Sequence, residues 1–280
     1  MVVVSKIEDL KAIITSLKSN QKNIGLVPTM GALHKGHLSL IEKSVQENDF
    51  SITTIFVNPT QFDKKEDLEN YPSTLENDLK LVEKTNCDLV FTPSAEEMYQ
   101  ENLHAEAFYF DGLENEMEGK HRKNHFDGVG TIVKKFFELT QPTKAYFGEK
   151  DFQQLQIIKK MVSKNQMPIE IIGCPIFREE DGLAMSSRNA RLNKNQRNSA
   201  PFIYESLQKA SELLKTSTIE NVNQWMQQTY KEQTELRLEY FEIADEATLQ
   251  TATKKESSKK YRAFIAVFAG TIRLIDNISL

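Results

Sequence analysis

"PTMGALHKGHLSLI" (residues 28–41) is the stretch on which the reading of this chain turns. It starts where a short apolar run, "NIGLVPT" (23–29), ends, and it continues into Leu38, Ile41 and Val45, spaced along one helical face. Strand, polar turn, helix is the local expectation. Two of the chain's five histidines, His34 and His37, stand three residues apart at the mouth of that helix. The first turn of a helix has amides without an intrahelical acceptor and the positive end of the dipole, so an anion settles there readily. Two imidazoles on that turn can donate to phosphate oxygens as charge builds on them. A pair of merely capping histidines would leave the same short motif, so the surroundings must decide.

Working outward, strand-like and helix-like segments alternate. "SKIEDLKAIITSLK" (5–18) has Ser5 and Glu8 at capping-box spacing and a helical stripe of Ile7, Leu10, Ile14 and Leu17. "FSITTIFVN" (50–58), "CDLVFTP" (87–93), "HAEAFYF" (104–110), "KAYFGEK" (144–150) and "IEIIGCPIF" (169–177) read as strands. Helices are expected over 73–85, 125–139 (Phe126, Val129, Val133, Phe136) and 151–162. The alternation predicts an α/β fold with a mostly parallel sheet covered on both faces. Ligands in such sheets bind beyond the carboxyl ends of the strands. The unusual polar clusters fall there: His34 and His37, then Asn58 and Gln61, then Gly148 to Asp151. The remainder differs, with polar helix over 194–231 and strands within 237–249 and 261–280. We expect a first domain over 1–175 and a smaller α+β domain over 176–280.

The whole chain narrows the function classes. It has 280 residues and a net charge of −5, with lysine and arginine spread out, which excludes the basic face of a dedicated nucleic-acid binder. Cys87 and Cys174 lie in apolar strand-like runs without metal-ligand spacing, and no apolar run approaches a bilayer-crossing length or a signal-peptide layout. A cytoplasmic, reduced, globular protein is expected.

Three further clusters carry chemistry. In "AMSSRN" (184–189), Arg188 offers a planar fork suited to phosphate, with Ser186 and Ser187 beside it. In "FGEKD" (147–151), Lys150 is a candidate phosphate contact and Asp151 a candidate ribose contact. Gln61 and Gln154 each follow a strand end, where two neutral amides would orient a small hydroxy acid. An ordinary loop, a helix cap and two solvent-facing amides are the plain alternatives. Together these groups point to a nucleotide-using enzyme, with the reaction left open.

"PTMGALHKGHLSLI", "FVNPTQF", "YPSTLENDL", "FGEKDFQQL" and "DGLAMSSRN", in that order, with "RLIDN" near the end, resemble the pantoate–β-alanine ligase family along nearly the whole chain. The resemblance implies a Rossmann-like nucleotidyltransferase fold, a C-terminal lid domain and a homodimer. It also implies ATP-dependent condensation of pantoate with β-alanine through a pantoyl adenylate, releasing AMP and pyrophosphate. By that resemblance Met30, Gly31, Ala32, Leu33, His34, Lys35, Gly36 and His37 line the ATP site, with His37 the catalytic proton donor and His34 beside it. Gly148, Glu149, Lys150 and Asp151 face ribose and phosphates; Phe177 meets adenine through its backbone; Met185, Ser186, Ser187 and Arg188 close over the phosphates, Lys150 and Arg188 acting catalytically. Gln61 touches pantoate and β-alanine, Gln154 holds pantoate, and Asn58 lies nearby. Arg122 and His125 match a further site-proximal stretch. Mg2+ accompanies ATP, with Asp78 at the family's acidic position and Asn77 where some members carry a second acid. A nucleotidylyltransferase of the same fold and a non-catalytic nucleotide sensor are the rival readings.

Overall fold

The computed structural model describes residues 1–62, 68, 69, 71, 72, 74–100 and 102–280. Its elements in chain order are β1 (Val2–Val4), α1 (Ile7–Ser19), β2 (Ile24–Thr29), α2 (Lys35–Glu47), β3 (Phe50–Ile55), α3 (Leu75–Glu83), β4 (Leu89–Phe91), α4 (Ala95–Tyr99), α5 (Met117–His121), α6 (His125–Thr140), β5 (Lys144–Gly148), α7 (Phe152–Lys164) and β6 (Glu170–Cys174). There follow α8 (Lys194–Ser199), α9 (Phe202–Leu213), α10 (Ile219–Lys231), β7 (Leu236–Asp245), β8 (Tyr261–Ala269) and β9 (Ile272–Ser279). The chain forms two compact units: 1–114 with 118–149 and 154–175, and 176–280 with 115–117 and 150–153.

The first unit is built on a six-stranded sheet ordered β1-β4-β3-β2-β5-β6, parallel at every pairing. Central strands buried on both faces read as near-continuous apolar runs, as "IGLV" in β2 does. From β2 the chain steps outward through β3 and β4, then returns to the other side of β2 as β5. The strand order therefore reverses between β2 and β5, where crevices form in open α/β sheets. The register shows it opening. β2 pairs with β5 only at Gly25 and Leu26, while its β3 ladder continues to Thr29. Pro28, which lacks a donor, sits where the β5 ladder has already stopped. The core between α2 and this sheet face holds Val27, Leu40, Ile41, Ile55, Val90 and Tyr146.

The second unit packs α9 and α10 on an antiparallel sheet ordered β7-β8-β9. Ile203, Leu207, Val222 and Met226 meet Ile243, Ile265, Val267 and Leu274 in its core. The expected strand content of 261–280 resolves into two strands turned at Gly270.

Several local expectations differ from the structure. Residues 104–110 form no strand. Their alternate amides donate to side chains of α6 instead, Glu106 N–H to Thr131 Oγ1 (2.8 Å) and Phe108 N–H to Asp127 Oδ1 (3.0 Å). A Ser5–Glu8 capping box does not open α1: its N-cap is Lys6, without a side-chain cap, and Glu97 of α4 accepts the Ile7 N–H at 2.8 Å. "VVV" at 2–4 is an edge strand on β4 that periodicity did not reveal. The expected 73–85 helix begins at Leu75, and Ser73 lies outside the described residues.

Candidate functional site

In the first unit the turn after β2 is built from backbone that ordinary residues avoid. Gly31 has φ +81° and Ala32 φ +50°, two successive left-handed residues. Asp78, from α3 and 1% exposed, holds this turn from behind. Its Oδ2 accepts the Ala32 N–H (2.9 Å) and the Thr74 hydroxyl (3.0 Å), and its Oδ1 accepts the Leu33 N–H (2.8 Å). The carboxylate thereby offsets the strain that brings the chain into α2 with His34 as N-cap.

At that N-cap the two imidazole centroids are 4.0 Å apart. The His34 backbone N–H donates to His37 Nδ1 at 3.3 Å. A ring nitrogen that receives an N–H carries the lone pair, so the His37 proton sits on Nε2, the far side of the ring. The backbone thus selects the tautomer. His37 N–H in turn donates to the His34 carbonyl at 2.8 Å, locking the first turn. Met30 and Gly36 are half-buried on the same segment and Lys35 is exposed.

Gln61 is buried beside this turn, and its Nε2 donates to Met30 Sδ at 3.0 Å. Asn58 fixes the other end of that amide, donating from Nδ2 to Gln61 Oε1 (3.0 Å) and to the Gly128 carbonyl (3.0 Å). Asn58 Oδ1 accepts from Tyr99 (2.6 Å) and Thr60 (3.1 Å). An amide side chain has two donors and two lone pairs, so Asn58 is saturated by protein. Through its bond to Oε1 it orients the Gln61 amide. Burial pushes the Tyr99 phenol above its usual range, which keeps the proton that Asn58 receives. His125 Nδ1 donates to the Gln61 carbonyl (2.8 Å). The start of α6 approaches so closely that a Cβ on Gly128 would lie 2.4 Å from the Thr60 oxygen. Tyr99, Gly128 and His125 are the supports that sequence reading missed or left unspecified. For Gly128 the trace in the sequence is a glycine inside a helix. Across the crevice mouth, Gly148 ends β5, Glu149 follows it, and Gln154 is half-buried in the first turn of α7.

The fit of a metal is limited. Among the described residues no three His, Cys, Asp or Glu side chains converge on a metal position. Asp78 spends three of its roughly four acceptor sites on the loop, so its first task is to anchor backbone and little of its capacity is left for Mg2+. Magnesium is held largely by substrate phosphates and water in such sites.

In the second unit Lys150 gathers with the Ser186–Arg188 turn. Lys150, Ser186, Arg188, Asn189, Arg273 and Asp276 line a small, shallow cleft. Residues 177–185 form a hairpin: Met185 N–H donates to the Phe177 carbonyl (3.0 Å), and Arg178 bridges Ala184. Phe177 is exposed. Ser186 then caps a 3-10 turn over Ser187–Arg191, its Oγ accepting the Arg188 N–H at 3.2 Å. Asn189 ties this turn to Glu179 (2.9 Å) and to the Ala184 carbonyl (3.1 Å). Asp151 is exposed, 3.7 Å from the Lys150 ammonium. A cation pair with hydroxyls in a shallow cleft is a phosphate-binding donor set.

Comparison with known proteins agrees on one family. The family model described as "Pantoate-beta-alanine ligase" matches residues 2–279. A protein of Christiangramia forsetii named pantothenate synthetase is 54% identical over 268 residues, covering 95% of each chain. The solved pantothenate synthetase of Thermus thermophilus superposes with a TM-score of 0.92 at 38% identity, covering 99% of both chains. The pantoate–β-alanine ligase of Francisella tularensis, solved in complex with "Beta-gamma ATP" and β-alanine, gives 0.81 at 35% identity, covering 100% of this chain and 97% of that one.

Proposed function

The chain belongs to the pantoate–β-alanine ligase family, and from that premise we propose that it condenses pantoate with β-alanine using ATP. A pantoate carboxylate oxygen attacks the α-phosphorus, the bond to the β-phosphate oxygen breaks, and pyrophosphate leaves. The resulting pantoyl adenylate has a carbonyl carbon with a good leaving group. The β-alanine amine attacks that carbon, loses a proton, and expels AMP to give pantothenate. Displacement at phosphorus needs positioning and charge stabilisation more than a protein nucleophile.

The observation that carries this reading is the His34 amide set on His37 Nδ1, which presents Nε2–H at a helix N-terminus. We assign that proton to an oxygen of the phosphate under attack, with His34 beside it. Lys150, Ser186, Ser187 and Arg188 are assigned to the departing phosphates. Gln61 and Gln154 are assigned to pantoate, Gln61 also to β-alanine; Met30 to Lys35, Gly148, Glu149, Asp151 and the Phe177 backbone are assigned to the nucleotide. Mg2+ enters as the counter-ion of ATP. A cytoplasmic location is part of the reading, supported by two buried free thiols, Cys87 and Cys174, and among the described residues no helix is long and apolar enough to cross a membrane. So is the homodimer that the family resemblance implies.

Pure protein incubated with ATP, Mg2+ and pantoate should release AMP and pyrophosphate in step with added β-alanine. A stable nucleotide conjugate as product, or turnover that ignores β-alanine, would refute the assignment.

A further inference from the structure

The "RLIDN" motif ends in Asp276 and Asn277, adjacent on β9 and 4% and 2% exposed. Both are polar in a sheet otherwise sealed by Ile265, Val267, Ile272 and Leu274. Neighbouring strand residues point to opposite faces, and each of these two side chains is committed on its own side. Asp276 receives Arg178 in a fork, Nη1 to Oδ2 at 2.7 Å and Nη2 to Oδ1 at 3.0 Å. Arg178 is the second residue of the hairpin that delivers Ser186 and Arg188, and it also donates to the Gly182 carbonyl at 3.0 Å. Asn277 donates from Nδ2 to the Lys150 carbonyl at 2.9 Å and accepts from Arg262 Nη1 at 2.6 Å. The Arg262 guanidinium stacks 4.0 Å over Phe152, two residues beyond Lys150.

Buried polar pairs are commonly no more stabilising than apolar residues of the same shape, so stability alone gives no reason for this one. Its contacts do. One arm ends on the segment that carries Lys150, the other on the hairpin that carries the Ser-Ser-Arg turn. Asp276 itself lines the cleft with those groups, and its fork with Arg178 matches its charge, leaving Lys150 and Arg188 to set the field there. We propose that Asp276 and Asn277 are positioning residues for phosphate transfer: Asn277 sets Lys150 through its carbonyl, and Asp276 sets the Ser186–Arg188 turn through Arg178. The inference rests on the adenylation chemistry proposed above and adds two residues to it.

The two half-reactions separate positioning from general support. Lys150 and Arg188 act while pyrophosphate is departing; attack of β-alanine on preformed pantoyl adenylate has no pyrophosphate to steer. Asn277→Asp keeps volume and the Arg262 contact but removes the donor to Lys150. Single-turnover adenylate formation should slow by about 10–10²-fold, the cost of a roughly 1 Å misplacement, while aminolysis of added adenylate stays within about twofold of wild type. In a Lys150→Ala background the same change should add less than about twofold, because groups acting as a unit are non-additive. Asp276→Asn in an Arg188→Ala background is read the same way. Should Asn277→Asp fail to fold, Asn277→Ser takes its place. Wild-type adenylation in Asn277→Asp, equal loss in both half-reactions, or full multiplication with Lys150→Ala would overturn the inference. Absence of adenylate from the wild-type protein would instead remove the reading beneath it.

Discussion

Asp78 offers the sharpest test of how the histidine turn is held. Two roles compete for a buried acid next to a nucleotide loop: metal ligand, or anchor for strained backbone. Its three acceptor contacts, to Ala32, Leu33 and Thr74, favour the anchor. Hydrogen bonds to a charged group are worth about 1.5–3 kcal/mol each, and an orphaned buried amide costs about 1–3. Asp78→Ala strands the Ala32 and Leu33 amides together, so it should lower unfolding free energy by about 3–5 kcal/mol. Asp78→Asn turns an amide NH2 toward one of those N–H groups and should cost about 1.5–3 kcal/mol. Both variants relax Gly31 and Ala32 from positive φ, two residues ahead of His34. Adenylate formation should then drop about 10–10²-fold through misplacement of the imidazoles. The assay is urea unfolding alongside single-turnover adenylation over a Mg2+ titration. The anchor role predicts lowered stability, a lowered maximal rate and an unchanged Mg2+ midpoint. Unchanged stability with a rate restored by excess Mg2+ would refute it.

His37→Ala should reduce adenylation by about 10²–10³-fold, the usual effect of removing one donor to developing charge, with the far-ultraviolet circular dichroism spectrum intact; near-normal single-turnover rates would count against the proton assignment. Gly128→Ala places a methyl 2.4 Å from the Thr60 carbonyl oxygen, so it should cost about 1–3 kcal/mol in thermal unfolding and raise KM for pantoate through the displaced Gln61. Burial pushes the Cys87 thiol up and the Cys174 thiol up to about 11, so native protein at pH 8 should resist Ellman's reagent and release two thiols only when unfolded. Because the folded value lies above that of an open chain, the Cys174 contribution is fully present below about pH 9 and declines toward pH 11; stability rising through that window would contradict the sign.

How far the sequence carries depends on where each signal is stored. β2, α2 and α6 were legible because their burial follows a period that the residues print locally. The 104–110 segment alternated like a strand because one side rests on α6, yet its amides end on Thr131 and Asp127. Alternation records which side is buried, not which acceptor an amide finds. Val2–Val4 was missed because three residues are too short for a period and their partners, Leu89–Phe91, are far along the chain. At the site, residue types at strand ends pointed to candidate donors. They could not reveal that Asn58 has its capacity consumed by protein and Asp78 most of its own, since that needs the positions of Tyr99, Gly128, Ala32 and Leu33. Asp276 and Asn277 were visible only as part of a motif without a role.

The central claim is that a carboxylate oxygen of pantoate becomes bonded to the α-phosphorus of ATP before the amide forms. Pantoate labelled with 18O in its carboxylate, turned over with unlabelled ATP and β-alanine, tests it directly by mass spectrometry of the products. The account predicts one labelled oxygen in AMP and one retained in the amide carbonyl of pantothenate. Unlabelled AMP, or label recovered in inorganic phosphate, would contradict it.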